Sequence, residues 1–191
     1  MPAADATALA HVLAERRGPL PSAREVPSGP GVYAVWGFID WPSLKPAPRA
    51  DAILYVGRGD PSLRRRFAEE WRPKNSGRSS PRRTLGALLQ AELALVAVPR
   101  EDRDAARGAR YYCFGAGGEA RLTEWCDRHL AFATADCAPG DADDLETELV
   151  ALLRPPLNLT KWRNPDGARL RALRRKLERE ALTAQRVAGV P

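Results

Sequence analysis

Short segments rich in β-branched and aromatic residues alternate along the chain with longer segments whose leucines have helical spacing. Three segments have the composition of β-strands: Gly31-Val32-Tyr33-Ala34-Val35-Trp36, Ala52-Ile53-Leu54-Tyr55-Val56-Gly57 and Leu130-Ala131-Phe132-Ala133. Prolines at positions 42, 46 and 48 lie between the first two segments and exclude regular structure there. The first two strands are therefore predicted to pair antiparallel across a long connection.

Amphipathic periodicity predicts helices on both sides of these strands. Leu9, Val12 and Leu13 mark a short N-terminal helix that either packs on the core or stands apart from it. Near the C-terminus, leucines line one side of a helix from Asp166 to about Arg186, and this stripe is either core or an oligomer surface. The pattern as a whole predicts an α+β fold. Further helices are predicted from Pro61 to about Trp71, from Pro81 through leucines as far as Leu93, from Arg121 to His129, and from Asp144 to Leu153.

Composition narrows the class of protein. With 191 residues, 44% apolar and 28% charged, the chain is a globular protein and neither a rod nor wholly disordered, and one domain is the default at this length. No apolar run is long enough to cross a membrane and no signal peptide is evident, so we expect a cytoplasmic protein without a membrane partner. Three cysteines do not make a disulfide framework. Only Cys126 and His129 have the spacing of zinc ligands, and the other two cysteines lack a paired partner, so a zinc site is not expected.

The positive charge is concentrated in two blocks. Residues 58–83 contain nine Lys or Arg against three Asp or Glu, and residues 154–186 contain ten against three, whereas the rest of the chain is net negative. Such a distribution indicates one face that meets a polyanion, although an arginine-rich composition alone gives the same numbers. The candidate nucleic-acid contacts are Arg58, Arg72, Lys74, Arg78, Arg82, Arg83, Arg171, Arg174 and Arg175.

Four short motifs in a fixed order carry a family resemblance. They are Gly31-Val32-Tyr33, Tyr55-Val56-Gly57, the helix Leu63-Arg64-Arg65-Arg66-Phe67, and Glu146 followed by Arg154-Pro155-Pro156-Leu157-Asn158. Because it has these four motifs in this order, the chain resembles the GIY-YIG nuclease superfamily. The stretch after Arg72 resembles an actinobacterial branch of that superfamily. The resemblance implies a three-stranded antiparallel sheet flanked by helices. It divides the chain into an N-terminal helix and linker (1–28), the nuclease domain (29–160) and a basic C-terminal helix (161–191).

The resemblance also implies a metal-dependent DNA endonuclease and a role for each motif residue. Phosphodiester hydrolysis requires an activated water, neutralisation of the phosphate oxygens and stabilisation of the leaving oxygen. Glu146 would bind one Mg²⁺, for which Mn²⁺ can substitute, since a carboxylate with waters suits this ion. Arg66 would hold the phosphate in the transition state. The other implied roles are a general base for Tyr33, positioning of water or phosphate for Tyr55, closure of the site for Asn158, and a phosphate contact for Arg58.

Glu70 departs from the family pattern. Many members have a histidine or tyrosine four residues after the arginine, on the same helix face, and here Glu70 stands at that position. It either pairs with Arg66 as a weak surface ion pair or acts as a base itself. Each feature taken alone also has a structural explanation, because strand tyrosines usually pack in a core and Glu146 could be an ordinary helix acid.

The sequence leaves three kinds of function open. The first is an endonuclease of restriction, defence or DNA repair, acting as a possible homodimer or with a recruiting protein, whose specificity comes from residues 37–51, 72–83, 99–119 and the C-terminal helix. The second is a nucleic-acid-binding module with the same fold and weak or absent catalysis. The third is a protein-interaction domain with compositional arginines, for which DNA binding would not fall with salt.

Overall fold

A computed structural model describes residues 5–37, 52–100 and 112–187. The expectations placed on residues 38–51 and 101–111 lie outside these ranges. The described helices are α1 Ala6–Glu15, α2 Leu63–Glu70, α3 Ser80–Leu88, α4 Gly115–His129, α5 Ala142–Leu153 and α6 Gly167–Val187. The strands are β1 Gly18–Pro19, β2 Gly31–Gly37, β3 Ile53–Gly59 and β4 Leu130–Asp136.

The four strands form one antiparallel sheet in the order β1-β4-β2-β3. The expected α+β fold is confirmed, and the three predicted strands are its β2, β3 and β4. The sheet has one strand more than expected, because Gly18 and Pro19 pair with Phe132 and Ala131 at the outer edge of β4. A two-residue strand that ends in proline has no period-2 pattern, and proline is tolerated only at such an edge.

One face of the sheet carries the apolar core with α1 and α5. Val32, Ala34, Trp36 and Val56 point to this side and pack with buried leucines of both helices. These positions are two residues apart on their strands, as the alternation of strand side chains requires. The helix residues are Leu9 and Leu13 of α1 and Leu145 and Leu149 of α5, so the N-terminal helix belongs to the core and does not stand apart.

The opposite face carries aromatic side chains. The Tyr33 and Tyr55 ring centroids lie 6.1 Å apart, and the Tyr33 and Phe132 centroids lie 5.5 Å apart. Phe67 of α2 packs edge-on against Phe132 with a centroid distance of 4.7 Å. Helix α2 therefore covers the aromatic face, and both motif tyrosines lie on that side of the sheet.

The chain divides into two compact units. The first comprises residues 1–68 and 126–167 and contains the sheet, and the second comprises residues 69–125 and 168–191. Within the second unit, Leu170, Leu177 and Ala181 of α6 are buried, and Arg174 Nη1 donates to Ser80 Oγ at 3.1 Å. The leucine stripe of the C-terminal helix is thus core rather than an oligomer surface. The domain limits at residues 28 and 160 stay a prediction.

Some element bounds differ from the expected ones. Helix α4 begins at Gly115 rather than at Arg121, and α3 ends at Leu88 so that Leu93 lies beyond it. The chain turns away after α3, and Ala94 adopts a left-handed backbone with φ 47°. The start of α4 lacks a leucine period because its first turn is rich in glycine.

Candidate active site

Four charged side chains meet between β3 and α5, and we call them the carboxylate cluster: Arg58, Asp143, Glu146 and Lys161. Asp143 and Glu146 are three residues apart on α5 and so share one helix face. Arg58 follows Val56 by two residues and points to the same side of the sheet. Its Nε lies 3.1 Å from Asp143 Oδ1 and 3.2 Å from Glu146 Oε2. Lys161 Nζ lies 2.6 Å from each of the same two oxygens.

The members of the carboxylate cluster differ in exposure. The Glu146 side chain is 12% exposed, whereas Asp143 and Arg58 are 56% and 41% exposed. The hydrogen bond and the charge of Lys161, with the charge of Arg58, lower the pKa of Asp143. Burial opposes the charged form of Lys161, but its hydrogen bonds to Asp143 and Glu146 outweigh this effect and raise its pKa. Glu146 is therefore the enclosed member of a cluster that stays open to solvent at its rim.

Asn158 holds the chain that follows α5 against the edge strand β3. Its Oδ1 accepts from Val56 N at 2.9 Å and its Nδ2 donates to Val56 O at 2.8 Å. Leu157 N also donates to Leu54 O at 3.0 Å, so one backbone bond joins this segment to the edge of β3. Asn158 is 6% exposed. These bonds fix the turn after α5 next to the strand that bears Arg58.

Tyr33 and Tyr55 lie side by side but are not equally accessible. Tyr33 pairs with Gly57 across the strands, and a Cβ at Gly57 would collide with the Tyr33 ring and hydroxyl. The glycine of the second motif thus leaves room for the tyrosine of the first. Tyr33 is 0% exposed and Tyr55 is 9% exposed. The alternation of side chains along β3, and the pairing of Tyr33 with Gly57, place both rings on the face opposite to Arg58.

Arg66 and Glu70 occupy very different surroundings on α2. Arg66 is exposed and directly precedes Phe67, which packs on the aromatic face. Glu70, the last residue of the helix, is 2% exposed. A surface ion pair is therefore the wrong description of Glu70, because its side chain is not at the surface. The proposal that Glu70 acts as a base stays a prediction.

Arg82 and Arg83 are not available for nucleic acid, which corrects the expectation for both. Arg82 is 0% exposed, and its Nη2 donates to Glu119 Oε2 at 3.1 Å and to Thr123 Oγ1 at 3.0 Å. Glu119 also accepts from the Ser76 backbone N and hydroxyl, at 2.8 and 2.7 Å. Arg83 is 7% exposed, with Nε 3.4 Å from Ser79 O. Both arginines are turned inward because the first turn of α3 packs against the segment before it.

The other basic candidates are more accessible. Lys74, Arg78, Arg171 and Arg175 are exposed, and Arg72 and Arg174 are half-buried. Six of the nine basic candidates therefore lie in the second compact unit with some exposure, and Arg58 is a seventh, in the first unit. Their contact with nucleic acid stays a prediction.

Sequence reasoning missed two members of the carboxylate cluster. Asp143 precedes Glu146 by three residues, and this helical spacing could have drawn attention to it. Lys161 follows Asn158 by three residues in an irregular turn, and no local pattern indicates where its ammonium points. The burial of Arg82 was missed for a similar reason, because its partner Glu119 is distant in sequence.

The donor chemistry at Glu146 fits a hard divalent cation. Carboxylate oxygens are what Mg²⁺ and Mn²⁺ take from proteins, and the carboxylates of Asp143 and Glu146 converge on one positively charged atom, Lys161 Nζ. In residues 5–37, 52–100 and 112–187 no three His, Cys, Asp or Glu side chains group as metal ligands. No described helix has both the length and the apolar character needed to cross a bilayer.

The described elements form a small α+β domain, and the family model for the GIY-YIG catalytic domain matches residues 41–178. The chain belongs to the GIY-YIG family. This is a family of endonucleases, which act on DNA and generally use divalent metals. The match includes Tyr55, Arg66, Glu146 and Asn158, and it begins after Tyr33. No curated protein and no solved structure matches the chain.

Proposed function

We propose that the chain is a Mg²⁺-dependent DNA endonuclease that hydrolyses phosphodiester bonds by a one-metal mechanism and leaves 5′-phosphate and 3′-hydroxyl ends. The observation that carries this proposal is the setting of Glu146. Its enclosed carboxylate lies 3.2 Å from Arg58 Nε, within the residues that match the catalytic domain. Asn158 holds the adjacent turn on the strand that bears Arg58.

Glu146 would be the metal ligand in this mechanism. When bound, Mg²⁺ or Mn²⁺ supplies charge neutralisation at the scissile phosphate and a water of lowered pKa. Arg66 is exposed on α2 and always charged, so it can hold a non-bridging phosphate oxygen and stabilise the pentavalent transition state. Arg58 is 41% exposed and provides a second cation for the phosphate.

A tyrosine would take the proton from the attacking water, and its hydroxyl would have to reach past the sheet edge to do so, because both rings lie on the face opposite to Arg58. The family resemblance suggested Tyr33 as this base and Tyr55 as the positioning residue. Exposure favours the opposite assignment, because Tyr33 is fully enclosed and Tyr55 retains 9% of its accessible surface. Tyr55→Phe should therefore slow cleavage more than Tyr33→Phe does. The expected loss of rate in Tyr55→Phe is about 10²-fold or more, which is what a general base contributes.

Basic side chains would hold the DNA backbone outside the carboxylate cluster. The exposed candidates Lys74, Arg78, Arg171 and Arg175, with the half-buried Arg72 and Arg174, can neutralise phosphates without reading sequence. Restriction or defence and DNA repair, in the cytoplasm, are the roles that such a nuclease fits. A homodimer or a recruiting protein partner would supply the selectivity that phosphate contacts lack.

The alternative is a nucleic-acid-binding module with weak or absent catalysis, favoured by the replacement of the usual His or Tyr by the enclosed Glu70. The test incubates supercoiled plasmid with the protein in Mg²⁺, Mn²⁺ or EDTA. Glu146→Gln and Arg66→Ala are the test variants, and Glu148→Gln is the control on an exposed position of the same helix. Metal-dependent cleavage that is lost only in the two test variants supports the proposal that the chain is an endonuclease. Plasmid binding without cleavage in any metal supports the binding module.

A further inference from the structure

Lys161 places a positive charge at the point on which three oxygens converge. Its Nζ lies 2.6 Å from Asp143 Oδ1 and from Glu146 Oε2, and 3.3 Å from the backbone oxygen of Asp143. Two carboxylates are an oxygen set that hard divalent cations also use, whereas the Asp143 backbone oxygen already accepts from Thr147 Oγ1 at 2.7 Å. The ammonium thus lies where a cation at Glu146 would be held.

The turn that bears Lys161 is fixed from both sides. Trp162 Nε1 and Asn164 Nδ2 each donate to Asn158 O at 2.9 Å, and Asn158 is itself bound to β3. Lys161 adopts a left-handed backbone with φ 69°, which is uncommon for a residue with a long side chain. The backbone therefore holds the lysine opposite α5, and its ammonium stands at the end of a flexible four-carbon stem.

We propose that the Lys161 ammonium occupies the position of the divalent cation in the metal-free protein and leaves it when the ion binds. Asp143 is then a second carboxylate of the same site, and Lys161 sets the affinity for the ion by competing with it. This inference rests on the proposed function, which assigns the ion to Glu146. Arg58 contacts the same two carboxylates from β3 and keeps them oriented in both states.

Charge balance gives the direction of the effect. The cluster contains two carboxylates and two cationic side chains, so an incoming divalent ion meets a site that is already neutral. Removal of the Lys161 charge leaves a net negative site with the same oxygens, and such a site attracts a cation more strongly. Removal of the Asp143 charge has the opposite effect.

The test measures Mn²⁺ binding to the DNA-free protein by titration calorimetry and by the paramagnetic resonance signal of free Mn²⁺. Lys161→Met is expected to bind the ion about tenfold more tightly, which corresponds to about 1.4 kcal/mol. Asp143→Asn is expected to bind it less tightly, and Glu146→Gln to lose binding. Lys161→Arg retains the charge and is expected to stay near the parent. The matched control is Lys176→Met, which removes an exposed lysine that pairs with Glu180 on α6 at 3.5 Å.

The outcomes separate this inference from the proposed function. Unchanged or weaker Mn²⁺ binding in Lys161→Met, together with loss of binding in Glu146→Gln, overturns the competition but leaves the metal assignment intact. Unchanged binding in Glu146→Gln overturns both. Tighter binding in Lys161→Met but equally in Lys176→Met shows an effect of total charge and also overturns the competition. Unchanged binding in Asp143→Asn overturns the second-carboxylate assignment.

Discussion

Glu119 and Glu146 both accept from cationic side chains, yet their surroundings differ in burial and in the way their partners are held. Glu119 is 7% exposed and binds Arg82, which has no exposed surface, and the neighbouring serine and backbone donors saturate its oxygens. Glu146 meets Arg58 and Lys161, whose side chains are 41% and 25% exposed. The network around Glu119 is closed to solvent, whereas Glu146 can exchange its partners because they are partly exposed.

Such a difference in enclosure decides whether the loss of an ion-pair partner mainly affects stability. Breaking a closed network leaves a buried charge without compensation, so its main effect is on stability. In an open cluster water can replace a lost partner, so the effect on stability is small and the charges remain available to ligands.

The largest expected effect is on the closed network. Arg82→Met leaves the Glu119 carboxylate buried without its cation, and the free energy of unfolding should fall by about 3–5 kcal/mol. Urea unfolding monitored by circular dichroism measures the loss. Arg78→Met, at an exposed position nearby, should change stability by no more than about 0.5 kcal/mol. A similar loss in both variants would contradict the contrast.

The second effect concerns the turn that borders the open cluster. Asn158→Ala removes both side-chain bonds to Val56 and leaves a buried N–H and C=O unpaired, at a cost of about 2–4 kcal/mol in unfolding free energy. Asn158→Asp retains the acceptor for the Val56 N–H but sets a buried carboxylate oxygen against Val56 O, so it should be at least as unstable as the alanine variant. Thermal or urea unfolding of the three proteins gives the order, and a variant of either kind as stable as the parent would contradict it.

The third effect is small in stability and large in activity. Glu146→Gln removes one negative charge from the carboxylate cluster but retains the side-chain shape, so the free energy of unfolding should change by less than about 1 kcal/mol. The same protein should have lost plasmid cleavage. Parallel unfolding and cleavage assays check this, and a stability loss equal to that of Arg82→Met would show that Glu146 belongs to a closed network as well.

The fourth effect distinguishes the arginines by exposure. Arg175→Gln should reduce the slope of the logarithm of DNA affinity against that of salt concentration by about 0.9, the value for one phosphate contact. Arg83→Gln should leave this slope unchanged, because Arg83 is 7% exposed. Fluorescence anisotropy with labelled DNA at several salt concentrations gives both slopes. An equal change in the two variants would remove the distinction.

Local patterns predicted much of the fold. The compositions of β2, β3 and β4 and the leucine spacing of α5 and α6 are visible within a few residues of sequence, and the structure has these elements. The direction of side chains such as Arg82 and Lys161 could not be predicted in the same way. Arg82 turns inward to pair with Glu119, which lies 37 residues further along the chain and outside any local pattern. The position of Lys161 depends on a fixed turn. Charge alone therefore suggested a nucleic-acid contact where the fold makes a buried ion pair.

The pairing of Asn158 with Val56 also bears on how copies of this chain can associate. Strand β3 is an edge of the sheet, and an uncovered edge offers its backbone groups to a strand from another molecule. Leu157 and Asn158 already occupy the carbonyl of Leu54 and both backbone groups of Val56. A continuous intermolecular sheet through β3 is therefore blocked at its centre, and a homodimer of the folded protein would have to use another surface.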